Sequence, residues 1–121
     1  AALADFDGDG LLDLAVVHRR APMRMYRNVT PEAGRFVRIA VRGAGGNRFA
    51  VGARVIVTVG DAVQSQQITL GGGHAGAVLA PLHFGIGDAA EASVQVRWPD
   101  GTQSDPMRMT AGDEITVTQP D

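Results

Sequence analysis

The sequence predicts an all-β fold, an antiparallel β-sandwich or barrel. Apolar and polar residues alternate with a period of two in several short runs, most clearly in "GARVIVTVG" (52–60), where Val55, Val57 and Val59 share one face. Turn-forming residues interrupt the chain about every 8–12 residues, which is typical of sandwiches and barrels. No window of eleven or more residues repeats its apolar positions at helical spacing.

The N-terminal third contains two short strand-like runs, 12–18 and 23–28, with a turn expected at "RAP" (20–22). Residues 29–35 have the composition of a linker, because Pro31 and Gly34 break regular structure. We therefore expect a small unit over 1–28 and a larger β domain over 36–121.

The larger domain should begin with the alternating run 35–43, in which Ile39 and Val41 point one way. Runs 52–60 and 62–70 predict a hairpin through a two-residue turn at Gly60-Asp61. Later strands are expected at 82–87, at 92–98 with Val94, Val96 and Trp98 inward, and at 114–119. "PDG" (99–101) is a strong turn signal.

Length and composition limit the function classes. The chain has 121 residues, of which 45% are hydrophobic and 20% charged, as in ordinary globular proteins. No apolar run approaches the roughly 20 residues of a membrane-spanning helix, so membrane insertion is not expected. The absence of cysteine excludes disulfides, thiolate metal sites and cysteine nucleophiles. Because the chain lacks an initiator Met and a signal peptide, we expect a piece of a longer protein.

Charge is segregated along the chain, although the net charge is only −2. Residues 1–14 carry four Asp and no base, whereas residues 15–54 carry nine Arg against the single acid Glu32. An arginine-rich segment could favour nucleic acid. Aromatic residues are scarce there and the whole chain is slightly acidic, so solvated strand faces are the favoured interpretation and no nucleic-acid partner is expected.

The acidic segment "ADFDGDGLLDLAVV" (4–17) predicts a metal site. Alternate carboxylates can converge if Gly8 and Gly10 let the backbone curl, and the resulting oxygen-only, anionic set suits calcium. Magnesium would favour a tighter octahedron with more water, and zinc would favour nearby His or Cys. The expected ligands are Asp5, Asp7, Asp9, the carbonyl of Leu11, and Asp13.

An EF-hand begins in a similar way but requires a bidentate Glu at the twelfth position. Counting from Asp5, that position is Val16, and the residues that follow Asp13 are strand-like. The pattern that remains, D-x-D-x-D-G-x-x-D leading into a strand, closely resembles the FG-GAP/VCBS repeat over about residues 3–28. The resemblance implies a partial β-propeller-blade hairpin, the same five calcium ligands and further propeller repeats upstream in the parent chain.

Residues 36–119 resemble the ASPIC/UnbV domain, which follows such repeats in exported proteins. The resemblance rests on "NRFAVGARV" (47–55), "LHFGIGDA" (82–89) and "VRWPDG" (96–101). Family members often have an aromatic residue and a Ser-Gln pair where this chain has "HAGAVLAP", with His74 in the aromatic position. The resemblance implies a β-rich, non-catalytic module.

The tryptophan and the histidines, which could serve in a binding or metal site, are expected to have structural roles. Trp98 is expected to anchor the core or a sheet edge, and His83 to be a hydrogen-bonded structural histidine. His74 and His83 lack an evident third metal ligand. The serines and acids form no recognisable catalytic set, so no enzyme activity is expected.

These observations predict a non-catalytic, calcium-assisted interaction, adhesion or structural module of a secreted, periplasmic or cell-surface protein, with a protein or glycan partner. The alternative is a carbohydrate-binding module attached to a larger exported protein or enzyme. That alternative requires Trp98, Tyr26 and Phe49 to line one exposed groove.

Overall fold

The computed structural model describes residues 1–71 and 79–120, which form ten β-strands and no helix. The chain divides into two compact units, Ala1–Ala33 and Gly34–Asp121. The predicted all-β class is confirmed. Within the described ranges, no helix has the length and apolar character needed to cross a membrane.

The first unit is a three-stranded antiparallel sheet in the order β1-β2-β3, with β1 at Ala2–Ala4, β2 at Asp13–His18 and β3 at Ala21–Tyr26. The predicted turn is displaced, since the connection between β2 and β3 is Arg19-Arg20 and Pro22 lies inside β3. An edge strand tolerates proline because one of its sides needs no N–H donor. Strand β1 is not apparent from the sequence pattern.

The second unit contains two sheets. One has the order β10-β4-β7, formed by β4 (Arg35–Arg42), β7 (Leu82–Gly87) and β10 (Glu114–Thr118). Strands β4 and β7 are antiparallel, whereas β10 runs parallel to β4 with Ile115 opposite Ile39. The direction of that pair differs from the antiparallel arrangement that the sequence predicts.

The other sheet is antiparallel throughout, in the order β6-β5-β8-β9. Its strands are β5 (Arg54–Val59), β6 (Ala62–Gln67), β8 (Glu91–Arg97) and β9 (Met107–Thr110). Val59 pairs with Ala62, which confirms the two-residue turn at Gly60-Asp61. Strand β9 is a further strand that the alternation did not reveal.

The two sheets share one hydrophobic core. Val37 and Ile39 of the first sheet and Val55, Val94 and Val96 of the second are completely buried. Each such aliphatic side chain contributes about 1.5–3 kcal/mol when it leaves water. Both sheets are open in the described residues, so the arrangement is a sandwich and the barrel alternative is not adopted.

Glutamines of β6 contact the neighbouring sheet. Gln64 and Gln66 face inward, since they pair with Val57 and Val55. Their Nε2 atoms donate 2.7 Å hydrogen bonds to the backbone carbonyls of Gly85 and His83, respectively, in strand β7. Among the strands of residues 1–71 and 79–120, β6 and β7 each lie at the edge of their sheet, so these side chains satisfy carbonyls that a free edge would expose.

Candidate metal centre

The aspartate-rich segment is the loop that joins β1 to β2. Asp5 organises its first half, because Oδ1 accepts a hydrogen bond from the N–H of Gly8 at 2.7 Å and Oδ2 accepts one from the N–H of Gly10 at 2.9 Å. Both glycines have positive φ, 78° and 90°, where an L side chain would be strained. The loop therefore curls around the Asp5 carboxylate, as the alternation of Asp and Gly predicts.

Asp13 is the buried member of the group, with 4% of its surface exposed. Its Oδ2 accepts a hydrogen bond from the N–H of Phe6 at 3.1 Å, and its Oδ1 accepts one from the N–H of Asn28 at 2.7 Å. The Asn28 side chain donates in turn to the carbonyl of Leu12 at 3.2 Å. Asp13 is thus held in place by the loop on one side and by the segment after β3 on the other.

The loop brings together three of the predicted ligands. One carboxylate oxygen from each of Asp5, Asp7 and Asp13 lies within 4.8 Å of the other two. Calcium–oxygen distances are about 2.3–2.6 Å, so two ligands of one ion stand at most about 5 Å apart. The spacing and the purely oxygen donor set therefore fit a hard divalent cation, with Asp5, Asp7 and Asp13 as the residues that would hold it.

Asp9 and Leu11, the other two predicted ligands, make different contacts. Asp9 Oδ1 accepts the N–H of Leu11 at 2.9 Å, and Asp9 Oδ2 accepts a hydrogen bond from Arg27 Nη2 at 3.1 Å. The Leu11 N–H, and then Arg27, hold the pKa of the Asp9 carboxyl below its usual value. Coordination by Asp9 and by the carbonyl of Leu11 stays a prediction.

Arg27 is a residue of the candidate site that the sequence interpretation missed. Its Nε lies 2.6 Å from Asp7 Oδ2, and its Nη2 contacts Asp9. The hydrogen bond to Asp9 and the charge of Asp7 raise the pKa of Arg27 further. The register of the β2–β3 hairpin is the signal that could have identified it. Leu14 pairs with Tyr26, so Arg27, which follows Tyr26, lies beside the end of the β1–β2 loop. The positive charge of the Arg27 guanidinium therefore offsets part of the repulsion among the carboxylates of the loop.

The residues of the carbohydrate alternative do not form the required set. Trp98 is only 2% exposed and belongs to the core, so it offers no open ring face for stacking on a sugar, whereas Tyr26 and Phe49 are 48% and 59% exposed. The expected core role of Trp98 agrees with this burial. The groove that needs an exposed Trp98 is contradicted.

The predictions for His83 and His74 have separate outcomes. His83 stacks on Phe36, with ring centroids 5.0 Å apart and an angle of 13° between the rings, and the Arg38 guanidinium lies 5.4 Å from the Phe36 centroid. This packing is consistent with a structural histidine. His74 lies outside the described residues.

Comparison with known proteins concerns mainly the second unit. A family model described as ASPIC and UnbV matches residues 43–121. Cartilage acidic protein 1 from Mus musculus is 34% identical over 103 residues, covering 82% of this chain and 16% of the relative. The Homo sapiens protein of that name is also 34% identical, covering 82% and 15%, and the Xenopus tropicalis protein is 33% identical, covering 83% and 16%.

The chain thus spans about one sixth of the length of these curated relatives. The matched family region begins at residue 43, close to the predicted start at 36, and the resemblance of residues 3–28 to FG-GAP/VCBS repeats stays a prediction. The match covers more than half of the chain and includes nearly all of the second unit. The chain therefore belongs to the ASPIC and UnbV family.

Proposed function

We propose that this chain is a non-catalytic, calcium-assisted interaction module of an exported multidomain protein. The observation that carries the proposal is the convergence of the Asp5, Asp7 and Asp13 carboxylates within 4.8 Å. A bound calcium ion would supply the charge that three neighbouring carboxylates need and would fix the β1–β2 loop. The second unit would then present the interaction surface.

The first unit supports a repeat-like role. One face of its sheet carries Leu3, Leu14 and Tyr26 in register, and the opposite face carries Ala15 and Met25. Leu3, Tyr26 and Met25 are each about half exposed or more. A sheet normally buries each apolar face against another layer, and a propeller blade is covered on both faces by its neighbours. This arrangement favours the proposal that residues 1–28 belong to an array of upstream repeats.

An extracellular setting is part of the same proposal. Extracellular calcium modules bind with dissociation constants of about 10⁻⁴–10⁻³ M, a range filled only where calcium is abundant. The similar proteins are named for cartilage, which supports a secreted or cell-surface location. A protein partner is favoured over a glycan, because Trp98 is buried.

Calcium titration followed by thermal unfolding tests this function. With a dissociation constant near 1 mM, calcium at about 10 mM should stabilise the native state by about 1.4 kcal/mol relative to EDTA. The Asp5→Asn/Asp7→Asn variant should lose this response. The Asp61→Asn variant, which removes an exposed acid from the β5–β6 turn, should keep it. An unchanged midpoint in the wild type, together with no heat of calcium binding, would overturn the proposal.

A further inference from the structure

A second polar site lies on the outer face of the four-stranded sheet. Arg54 of β5 is the direct cross-strand partner of Gln67 in β6 and of Arg97 in β8. The three side chains thus form one row, Gln67-Arg54-Arg97, and all three residues are exposed. They line a cleft of about 230 Å³ together with Trp98 and Pro99.

The row places two like charges next to each other. Directly opposed residues on antiparallel strands have Cβ atoms roughly 4.5–5.5 Å apart, and like charges in that position are destabilising. Among the ion pairs of residues 1–71 and 79–120, none includes Arg54 or Arg97. Asp100, just beyond Pro99, directs its carboxylate oxygens to Thr102 and Gln119.

The hydrogen-bonding capacity of the cleft is largely unused. A guanidinium has five N–H donors, and Arg54 commits one of its terminal nitrogens to a long 3.5 Å contact with Ser65 Oγ. Gln67 donates to the carbonyl of Gly52 at 3.2 Å. Adjacent cationic donors of this kind match the two oxygens of a carboxylate.

We infer that this cleft binds a carboxylate presented by an acidic peptide segment of a partner protein. Its volume is below the roughly 300–1,000 Å³ of pockets that enclose a whole small molecule, so the cleft is large enough for the carboxylate at the end of one acidic side chain. The burial of Trp98 removes the ring face on which a sugar would stack. The inference deepens the proposed function by naming a partner chemistry, but it rests on the arginine pair and not on calcium.

Trp98 is the only tryptophan of the chain and lines the cleft, so its fluorescence reports on binding. Titration of the protein with acetyl-tetraglutamate amide, in EDTA and at low salt, should change the Trp98 emission saturably. Acetyl-tetraglutamine amide should leave it unchanged. The EDTA separates this test from the calcium proposal, since failure here leaves the calcium response intact and failure there leaves this binding intact.

Arg54→Gln and Arg97→Gln should each weaken peptide binding about tenfold or more, because each removes a charge-assisted hydrogen bond. Arg48→Gln is the matched control, since Arg48 is an exposed arginine of the same unit outside the cleft, and it should bind as the wild type does. Equal losses in all three variants would reduce the effect to diffuse attraction and overturn the proposal. Binding of a sulfated polysaccharide without binding of the peptide would also overturn it.

Stability measurements supply an independent readout. Arg97→Gln should retain or raise the unfolding midpoint at low salt, because it removes the repulsion from Arg54. If a variant fails to fold, the test is instead the change in amide chemical shifts of the wild-type protein when the peptide is added. The peptide should then move the signals of residues 54, 67, 97 and 98, and shifts confined to other residues would contradict the site.

Discussion

The Oδ1 atom of Asp13 accepts a 2.7 Å hydrogen bond from the backbone N–H of Asn28. The bond joins the first residue of β2 to the segment that follows β3, while Oδ2 of the same carboxylate binds the N–H of Phe6 in the loop. Asp13 therefore organises the loop whether or not it also coordinates an ion. Removal of Asp13 should therefore have two separable effects, one on the stability of the loop and one on its affinity for calcium.

Replacement of Asp13 by Ala should loosen the first unit even in EDTA. The N–H groups of Phe6 and Asn28 would lose their acceptor, and because both hydrogen bonds are only partly buried we expect a cost of about 0.5–1.5 kcal/mol for each. Amide hydrogen exchange at those two residues should accelerate. Asp13→Asn keeps one carbonyl acceptor and should accelerate exchange less. Equal exchange in Asp13→Ala and the wild type would refute the anchoring role.

Arg27→Ala should make the loop more dependent on calcium. Arg27 contacts Asp7 and Asp9, so its removal increases carboxylate repulsion in EDTA and frees Asp7 for the ion. The unfolding midpoint should fall in EDTA, and calcium affinity should rise. Arg24→Ala, on the exposed strand β3, removes the same charge without these contacts and serves as the control. A weaker calcium affinity in Arg27→Ala would show that the guanidinium does not compete with the ion.

The Gln64→Ala/Gln66→Ala variant should be less stable and more prone to self-association. Each glutamine provides a hydrogen bond to a β7 carbonyl, worth about 0.5–1.5 kcal/mol. Loss of both exposes the polar edge of β7 to another chain. Chemical denaturation and light scattering measure the two effects. Ser65→Ala, between them on the outer face, should show no self-association, and a monomeric double variant would contradict edge protection.

Acid should reduce the contribution of Asp100 to stability. The Thr102 hydroxyl, then its N–H, and further Gln119 hold the pKa of Asp100 below its usual value. A carboxyl with a lowered folded-state pKa stabilises the native state above its unfolded pKa, about 3.9, and loses this effect as the pH falls through the folded-state value. The stability difference between wild type and Asp100→Asn should therefore shrink below about pH 4.

Asp61→Asn is the charge-matched control for that experiment. Asp61 lies exposed in the β5–β6 turn. Urea denaturation from pH 2.5 to 7, at constant ionic strength, measures both differences. A wild-type advantage over Asp100→Asn that stays constant across this range would contradict the assigned role of Asp100.

Local pattern was sufficient for the strands that alternate strictly. Val55, Val57, Val94 and Val96 are buried as their spacing predicts, and the turn at Gly60-Asp61 joins β5 to β6. The prediction fails for short strands. Strands β1 and β9 have three and four residues, too few to display a period, and they form because β2 and β8 offer an edge for pairing.

Long-range features were also beyond the sequence pattern. Asp5, Asp7 and Asp13 are close in sequence, so their convergence could be predicted, whereas Arg27 reaches the loop only through the β2–β3 register. The Arg54–Arg97 row likewise depends on which strands become neighbours. Nothing local to β10 specifies that it should lie parallel to β4. Which strands become neighbours depends on packing over the whole core and not on the residues of a single strand.

The parallel pairing of β10 with β4 has a consequence for biosynthesis. Residues 38–42 lie beside residues 114–118, so one of the earliest strands of the second unit waits for one of the last to leave the ribosome. Such distant pairings slow folding, because a long loop must close before the contact forms. Until β10 is synthesised, β4 lacks this neighbour, and an unpaired strand edge is a place where an incompletely folded chain can misassemble or aggregate.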